Sequence, residues 1–155
     1  MDSNMFASLP YLDLFIIIEG NNNEIKRIYF NKDNIIERYD MNSEVAKAKQ
    51  QINEYLLGKR KKFNLNLFFN TTDFNFKVYL ALMNIAYAHT KSYSQIACEI
   101  KHENACRAVG NANNKNPFVI VVPCHRVIGK NNSLVGFAPG IKYKKALLEL
   151  EKNNL

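Results

Sequence analysis

Asn116-Pro117-Phe118-Val119-Ile120-Val121-Val122-Pro123-Cys124-His125-Arg126-Val127-Ile128 is the stretch from which the rest of the chain can be read. Five consecutive apolar residues, Phe118–Val122, are rich in β-branched side chains and predict a buried strand. Prolines stand on both sides of that run. Pro123 brings no N–H and biases Val122 toward an extended backbone, so the chain should turn at a rigid corner. Cys124 sits on that corner. His125 and Arg126 follow it, and positive charge beside a sulfur favours thiolate, the nucleophilic form. In extended backbone successive side chains point to opposite sides, so a bridging water is the expected relay between Cys124 and His125. Taken alone, a cysteine in apolar surroundings is more often an inert core residue.

Upstream, Ser92–Ile100 and Asn104–Ala112 predict two short helices joined tightly at Lys101–Glu103, a helix-turn-helix arrangement. Asp73–Tyr87 predicts a longer helix with Phe76, Tyr79, Leu80, Met83 and Ala86 on its inward stripe. Downstream, residues 129–140 form a Gly/Asn-rich loop. Ile141–Leu150 predicts a closing helix with Leu147, Leu148 and Leu150 facing inward.

The N-terminal half reads differently. Leu12–Glu19 and Glu24–Phe30, separated by Gly20 and three asparagines, predict a β-hairpin, and Ile35–Tyr39 a third strand. Ser43 is the expected N-cap of a helix running to about Leu57 and closed by Gly58, with Val45, Ala48, Ile52, Tyr55 and Leu56 on one face. Phe63–Phe69 predicts a short strand, preceded by the basic run Lys59–Lys62. The expected fold is therefore α/β (α+β) with two lobes, residues 1–70 and 71–155. The first is an antiparallel sheet with a helix and the second is helical.

Composition narrows the function. The chain has 155 residues and a formal charge of +7, and residues 73–155 hold 11 of the basic and only 5 of the acidic side chains. That surplus suits a polyanion such as nucleic acid, or equally a solubilising surface. No apolar run approaches the roughly 18 residues that span a bilayer. Met1–Pro10 lacks a secretory pattern, which predicts a cytoplasmic protein. Cys98, Cys106 and Cys124 are an odd number without zinc-ligand spacing, so neither a disulfide framework nor a metal site is expected.

The Asn116–Ile128 string closely resembles the active-site motif of the O6-alkylguanine-DNA alkyltransferases, also called methylated-DNA–protein-cysteine methyltransferases. Arg107-Ala108-Val109-Gly110, Tyr93-Ser94-Gln95-Ile96-Ala97 and Lys144-Lys145-Ala146-Leu147-Leu148-Glu149-Leu150-Glu151 resemble its other segments. The likeness is specific over about residues 74–152 and architectural before that. It implies a ribonuclease-H-like first lobe and a monomer acting without cofactor on double-stranded DNA that carries O6-alkylguanine. O4-alkylthymine is a further candidate substrate.

The resemblance also implies roles. Cys124 accepts the alkyl group irreversibly, His125 draws off its proton through water, and Glu151, rather than its neighbour Glu149, orients His125. Asn116 ties the helix-turn-helix to the active-site strand. Tyr93 gives a hydrogen bond or proton to O6. Arg107 fills the gap left by the flipped nucleotide, while Ala105, Ala108 and Ala112 allow close approach to the minor groove and Arg126 joins the DNA contacts. Val127 offers its carbonyl to the guanine amine, and Gly136 and Pro139 belong to the substrate pocket. Three departures stand out: Ala86-Tyr87-Ala88 where relatives carry Pro-x-Gly, Pro139 where they carry Gly or Ser, and Ala146 where they carry Trp. A non-enzymatic lesion binder, a helix-turn-helix regulator and a thiol hydrolase are the competing readings.

Overall fold

The computed structural model of the chain describes residues 4–130, 134 and 137–155. The break between its two units falls between Phe69 and Asn70.

The first unit is built on a three-stranded antiparallel meander, β1 (Met5–Tyr11), β2 (Leu14–Gly20) and β3 (Ile25–Asn31). Its register runs from Met5 opposite Gly20 to Tyr11 opposite Leu14, then from Phe15 opposite Asn31 to Gly20 opposite Ile25. Ile16, Ile17 and Ile18 of the central strand are all fully buried, so both faces of β2 are covered. Gly20 is required at the turn into β3: a Cβ there would lie 2.4 Å from the carbonyl oxygen of Glu24. The β2–β3 hairpin follows the expected pattern, and β1 is an additional strand. It carries Pro10, a residue that sheets admit only near edges and ends.

Ile35–Tyr39, expected as a strand, makes one antiparallel bridge, Phe6 to Arg38. Side chains take the place of a ladder there. Glu37 Oε1 accepts from the N–H of Ser8 at 2.9 Å, and the Ser8 hydroxyl bonds to Asn34. Phe63–Phe69 likewise reduces to one parallel bridge, Ile25 to Leu67. It is pinned by Gln51, whose amide both accepts from and donates to the Asn64 backbone. The helix α1 (Glu44–Leu56) packs against β1 and β2. Ser43 Oγ caps its start by accepting from Ala46 N at 3.0 Å. Gly58, at φ +76°, closes it, and the N–H groups of Gly58 and Lys59 reach Tyr55 O and Glu54 O.

The second unit comprises α2 (Asp73–Met83), β4 (Lys91–Ser92), α3 (Tyr93–Glu99), α4 (Cys106–Asn114), β5 (Val127–Ile128) and α5 (Ile141–Asn153). α2 is shorter than expected and turns a different face inward. Val78, Tyr79 and Leu82, with Ile85 just beyond, are buried, whereas Phe76, Leu80 and Met83 of the expected stripe are 38%, 43% and 37% exposed. The helix is apolar on most sides, so periodicity alone did not select a face. α3 and α4 pack on each other and on α2, joined through Lys101 at φ +62°.

Phe118–Val122 is buried as expected but is not a strand. Its bonds are local turns: Val121 N to Val119 O at 2.8 Å and Val122 N to Phe118 O at 2.9 Å. Ile120, at the centre of the first, has φ +73°, a conformation that costs a β-branched residue on the order of 1–3 kcal/mol. Pro123 (φ −80°, ψ 66°) forms a second tight turn, with Cys124 N bonded to Val122 O. No helix among the described residues is long and apolar enough to cross a membrane.

Candidate active site

The two-residue strands β4 and β5 pair in parallel, Lys91 with Val127 and Ser92 with Ile128. This pairing joins the start of the helix-turn-helix to the residues after Cys124. α3 begins immediately after β4 with a capping box: Ser92 Oγ accepts from Gln95 N at 3.1 Å, and Gln95 Oε1 accepts from Ser92 N at 2.8 Å. Tyr93 is therefore fixed as the first residue of α3, its ring against Gly110 of α4, where a Cβ would lie 3.8 Å away.

Cys124, His125 and Arg126 form one turn of 3-10 helix rather than extended chain, and all three are buried. This changes where their side chains go. His125 Nε2 meets Glu151 Oε2 at 2.6 Å. Arg126 clasps the same carboxylate with Nε at 2.9 Å and Nη2 at 3.0 Å, and its Nη1 donates to Ile85 O. Arg126 Cζ also lies 5.6 Å from the centre of the Tyr87 ring. Arg126 is 5% exposed, so the expectation that it contacts DNA is corrected: it braces Glu151. Glu151 is fully buried and Glu149 exposed, which separates the two carboxylates as the motif implied.

Burial alone would push the Glu151 carboxyl up. Hydrogen bonds from His125 and Arg126, with the charge of the Arg126 guanidinium, outweigh it and hold the group well below the usual carboxylate range. Burial drives the His125 pKa below its ordinary value, against the upward pull of Glu151. The imidazole is then neutral at physiological pH and able to take a proton.

Burial raises the Cys124 thiol to about 11. The Asn116 side chain, the charge of Lys144 and the backbone N–H groups of Cys124 and His125 pull the other way. The expectation that His125 and Arg126 favour thiolate by proximity is corrected accordingly. One is neutral, the other is spent on Glu151, and the cation acting on the sulfur is Lys144. At rest the thiol is protonated, so its activation requires a base.

Lys144 was not anticipated. It is fully buried on α5, its ammonium donates to Val127 O, and burial lowers its pKa to about 8 against the opposing pull of Cys124. Its signal was present in the sequence. Residues 144, 147 and 151 share one helical face, and two of the three had been turned inward. Asn113 of α4 was also missed. It is 2% exposed, and its Nδ2 lies 3.4 Å from Cys124 O. Burial and Cys124 push the Tyr93 phenol up, and the Asn113 side chain draws it part of the way back.

Asn116 joins the turn to the helix end: its Nδ2 donates to Val122 O at 2.7 Å and its Oδ1 accepts from Phe118 N at 2.9 Å. Arg107 and Ala108 are exposed on α4, and Ala105, its N-cap, is half-exposed. Ala112 is buried at 1% exposure and its carbonyl accepts from Tyr79, so it presents nothing for close approach. Pro139 is part-exposed in the turn before α5, and Gly136 lies outside the described residues. The turn that replaces Pro-x-Gly is held by Ala88 at φ +64°, whose N–H donates to Glu151 Oε1 at 2.9 Å. Cys98, Cys106 and Cys124 are free thiols, and Cys106 Sγ lies 3.4 Å from Ser94 Oγ. Among the described residues no cluster of three or more His, Cys, Asp or Glu side chains could hold a metal ion.

The site thus combines a protonated nucleophile, a neutral base, a buried carboxylate that would stabilise that base once charged, and a tyrosine near the sulfur. These are the elements of a group transfer to sulfur. Residues 73–153 match the family model described as "6-O-methylguanine DNA methyltransferase, DNA binding domain". A methylated-DNA–protein-cysteine methyltransferase of Methanosarcina mazei is 40% identical over 148 residues, 90% of this chain and 92% of that one. The crystal structure of Mycobacterium tuberculosis O6-methylguanine methyltransferase superposes with a TM-score of 0.87 at 34% identity, covering 99% of this chain and 95% of that one. The M. tuberculosis protein OGT in complex with DNA gives 0.86 at 35% identity, covering 96% and 93%. The chain belongs to the 6-O-methylguanine DNA methyltransferase family.

Proposed function

We propose that this protein repairs DNA by direct reversal, moving the alkyl group from O6 of an alkylated guanine in double-stranded DNA to Sγ of its own Cys124, once per molecule. The observation that carries this is the buried chain Cys124, His125, Glu151 and Arg126, in which a thiol with a raised pKa adjoins a neutral base backed by a carboxylate. Base-paired O6 is out of reach inside a duplex, so the nucleotide is flipped into the site. His125 draws the thiol proton away through water, and the imidazolium so formed is stabilised by Glu151. The thiolate displaces guanine from the alkyl carbon while Tyr93 supplies a proton toward the leaving base. The thioether is inert, so the thiol does not return.

Exposed Arg107 occupies the vacated place in the base stack, and Ala105 and Ala108 let α4 approach the minor groove. The Val127 carbonyl has two lone pairs; Lys144 takes one and the guanine amine the other. Pro139 borders the alkyl pocket, and Asn116 keeps the helix-turn-helix and the Cys124 turn in register. O4-alkylthymine is a second substrate. The protein acts as a monomer, without cofactor, in the cytoplasm, whose reducing conditions keep such thiols free.

The test is a titration with duplex carrying isotopically labelled O6-methylguanine. The reading expects label to accumulate to one methyl per protein molecule and then stop, and a Cys124→Ser variant to bind the duplex without acquiring label. Continued turnover, or a labelled Cys124→Ser variant, would refute it.

A further inference from the structure

The basic run Lys59-Arg60-Lys61-Lys62 takes no part in the chemistry at Cys124, yet it is the densest charge of the first unit. Residues 1–69 hold 10 basic and 9 acidic side chains. Without these four positions 6 basic residues face the same 9 acidic ones, a net charge of −3. An otherwise acidic unit thus gathers four cations in one place.

The neighbouring helix does not account for them. Cations complement a helix dipole within its last turn, and α1 has no basic residue there. It ends at Leu56, and Gly58 at φ +76° separates the run from it. Solubility does not account for the fixed backbone. Before the run, Lys59 N donates to Glu54 O at 2.8 Å. After it, Asn64 N donates to Gln51 Oε1 at 3.0 Å, and the Phe63 ring lies on Tyr55 with centres 5.6 Å apart. Both ends are therefore clamped onto α1. Arg60 folds back within the loop: its Nε donates to Glu54 Oε1 at 2.9 Å and its Nη1 to Lys62 O at 3.0 Å. One cation shapes the loop, and Lys59, Lys61 and Lys62 are exposed around it. Neither Lys59 nor Lys62 makes an ion pair with another described residue. Three ammonium groups held within four residues repel one another, and a polyanion relieves that repulsion.

We propose that Lys59, Lys61 and Lys62 form a second contact with the phosphate backbone, on duplex flanking the lesion and additional to the contact made by α4. This goes beyond the function proposed above and rests on duplex DNA as the partner. Lysine is a compact point charge that follows phosphates without reading bases. The contact therefore adds affinity to damaged and undamaged duplex alike and leaves the transfer step untouched.

The experiment measures binding of the full chain to duplexes with and without one O6-methylguanine at increasing salt. The natural protein is compared with Lys59→Gln/Lys61→Gln/Lys62→Gln, in which Arg60 and its bonds are kept. Each phosphate contact contributes about 0.9 to the slope of log affinity against log salt concentration, so the triple variant should lower that slope by about 2–3 on a duplex of about 30 base pairs. The drop should be the same with and without the lesion. It should vanish on a lesion duplex of about 10 base pairs, which at about 3.4 Å per pair ends close to the damaged site. Single-turnover transfer at saturating duplex and the melting temperature should not change. Lys59→Gln/Lys62→Gln serves should the triple variant not fold, with a drop of about 1–2. Lys32→Gln/Lys47→Gln removes exposed lysines elsewhere on the same unit and should leave the slope as it was. An unchanged slope in the triple variant, a comparable drop in the Lys32/Lys47 control, or a drop of full size on the short duplex would overturn the proposal. Failure of the natural protein to bind duplex at any salt concentration would instead refute the function itself.

Discussion

Replacing Glu151 by glutamine tests the core of the site most severely, because the substitution keeps the shape and removes only the charge. Glu151 accepts four bonds: from His125 at 2.6 Å, from Arg126 at 2.9 and 3.0 Å, and from the N–H of Ala88 at 2.9 Å. Both charged partners are buried, the carboxylate fully and Arg126 to 5% exposure. Glu151→Gln leaves the guanidinium buried without a counter-charge, which costs about 3–5 kcal/mol, a large part of the roughly 5–15 kcal/mol that holds a domain together. Urea unfolding at pH 7 reads this directly. Arg126→Met should cost a similar amount alone, whereas the double variant Arg126→Met/Glu151→Gln should recover at least about 2 kcal/mol of the summed loss, since no unpaired charge remains. The acid side follows with the same sign. The folded pKa of Glu151 is depressed, so its contribution to stability is present above its unfolded value near 4.5 and is lost as pH falls through that value toward the lower folded one. The natural protein should therefore lose stability more steeply below about pH 4.5 than Glu151→Gln does. Transfer should also fall by orders of magnitude, because the imidazolium loses its partner. A Glu151→Gln variant less than about 1 kcal/mol weaker than the natural protein, with an unchanged acid limb, would refute the reasoning.

Other substitutions separate stability from chemistry. Lys144→Met removes a fully buried ammonium whose pKa burial has lowered to about 8; the variant should be at least as stable at pH 7, yet transfer should slow about tenfold or more because the sulfur loses its cation. That lysine's folded pKa lies below its unfolded one, so its destabilising charge is present below about pH 8 and relieved between there and about 10.5, a rise in stability that Lys144→Met should lack. Arg107→Ala, at an exposed position, should change unfolding by less than about 0.5 kcal/mol while weakening capture of the lesion duplex; an unfolding loss as large as that of Arg126→Met would contradict the two roles. Ala88→Gly relieves a left-handed alanine at φ +64° and should raise stability by about 0.5–1 kcal/mol, seen as a higher melting temperature.

Much of this was legible in local chemistry. Ser43, Gly58 and the asparagine-rich turn bounded their elements because caps and turns act within a few residues. The family resemblance chose Glu151 over Glu149, and Glu151 is the buried one of the two. What sequence did not disclose depends on contacts made elsewhere. Phe118–Val122 has the composition of a strand, but Asn116, two residues before it, bonds to Val122 O and Phe118 N and closes it into turns, with Ile120 left-handed. The strand at Met5–Tyr11 was hidden by Ser8 and Pro10, residues that an edge position accommodates. α2 is apolar on too many sides to reveal its buried one. Arg126 was read as DNA-facing and Lys144 was given no role, because a cation is ordinarily solvated. Here the 3-10 turn at Cys124–Arg126 directs Arg126 to α5, and α5 returns Lys144 to Val127.

The most direct test of the central claim is the intact-protein mass after incubation with a duplex bearing a single O6-methylguanine, followed by peptide mapping. One methyl group should be gained on Cys124, with none on Cys98 or Cys106 and none in Cys124→Ser. An unchanged mass despite tight, lesion-selective binding would contradict it and leave a protein that recognises the damaged base without repairing it.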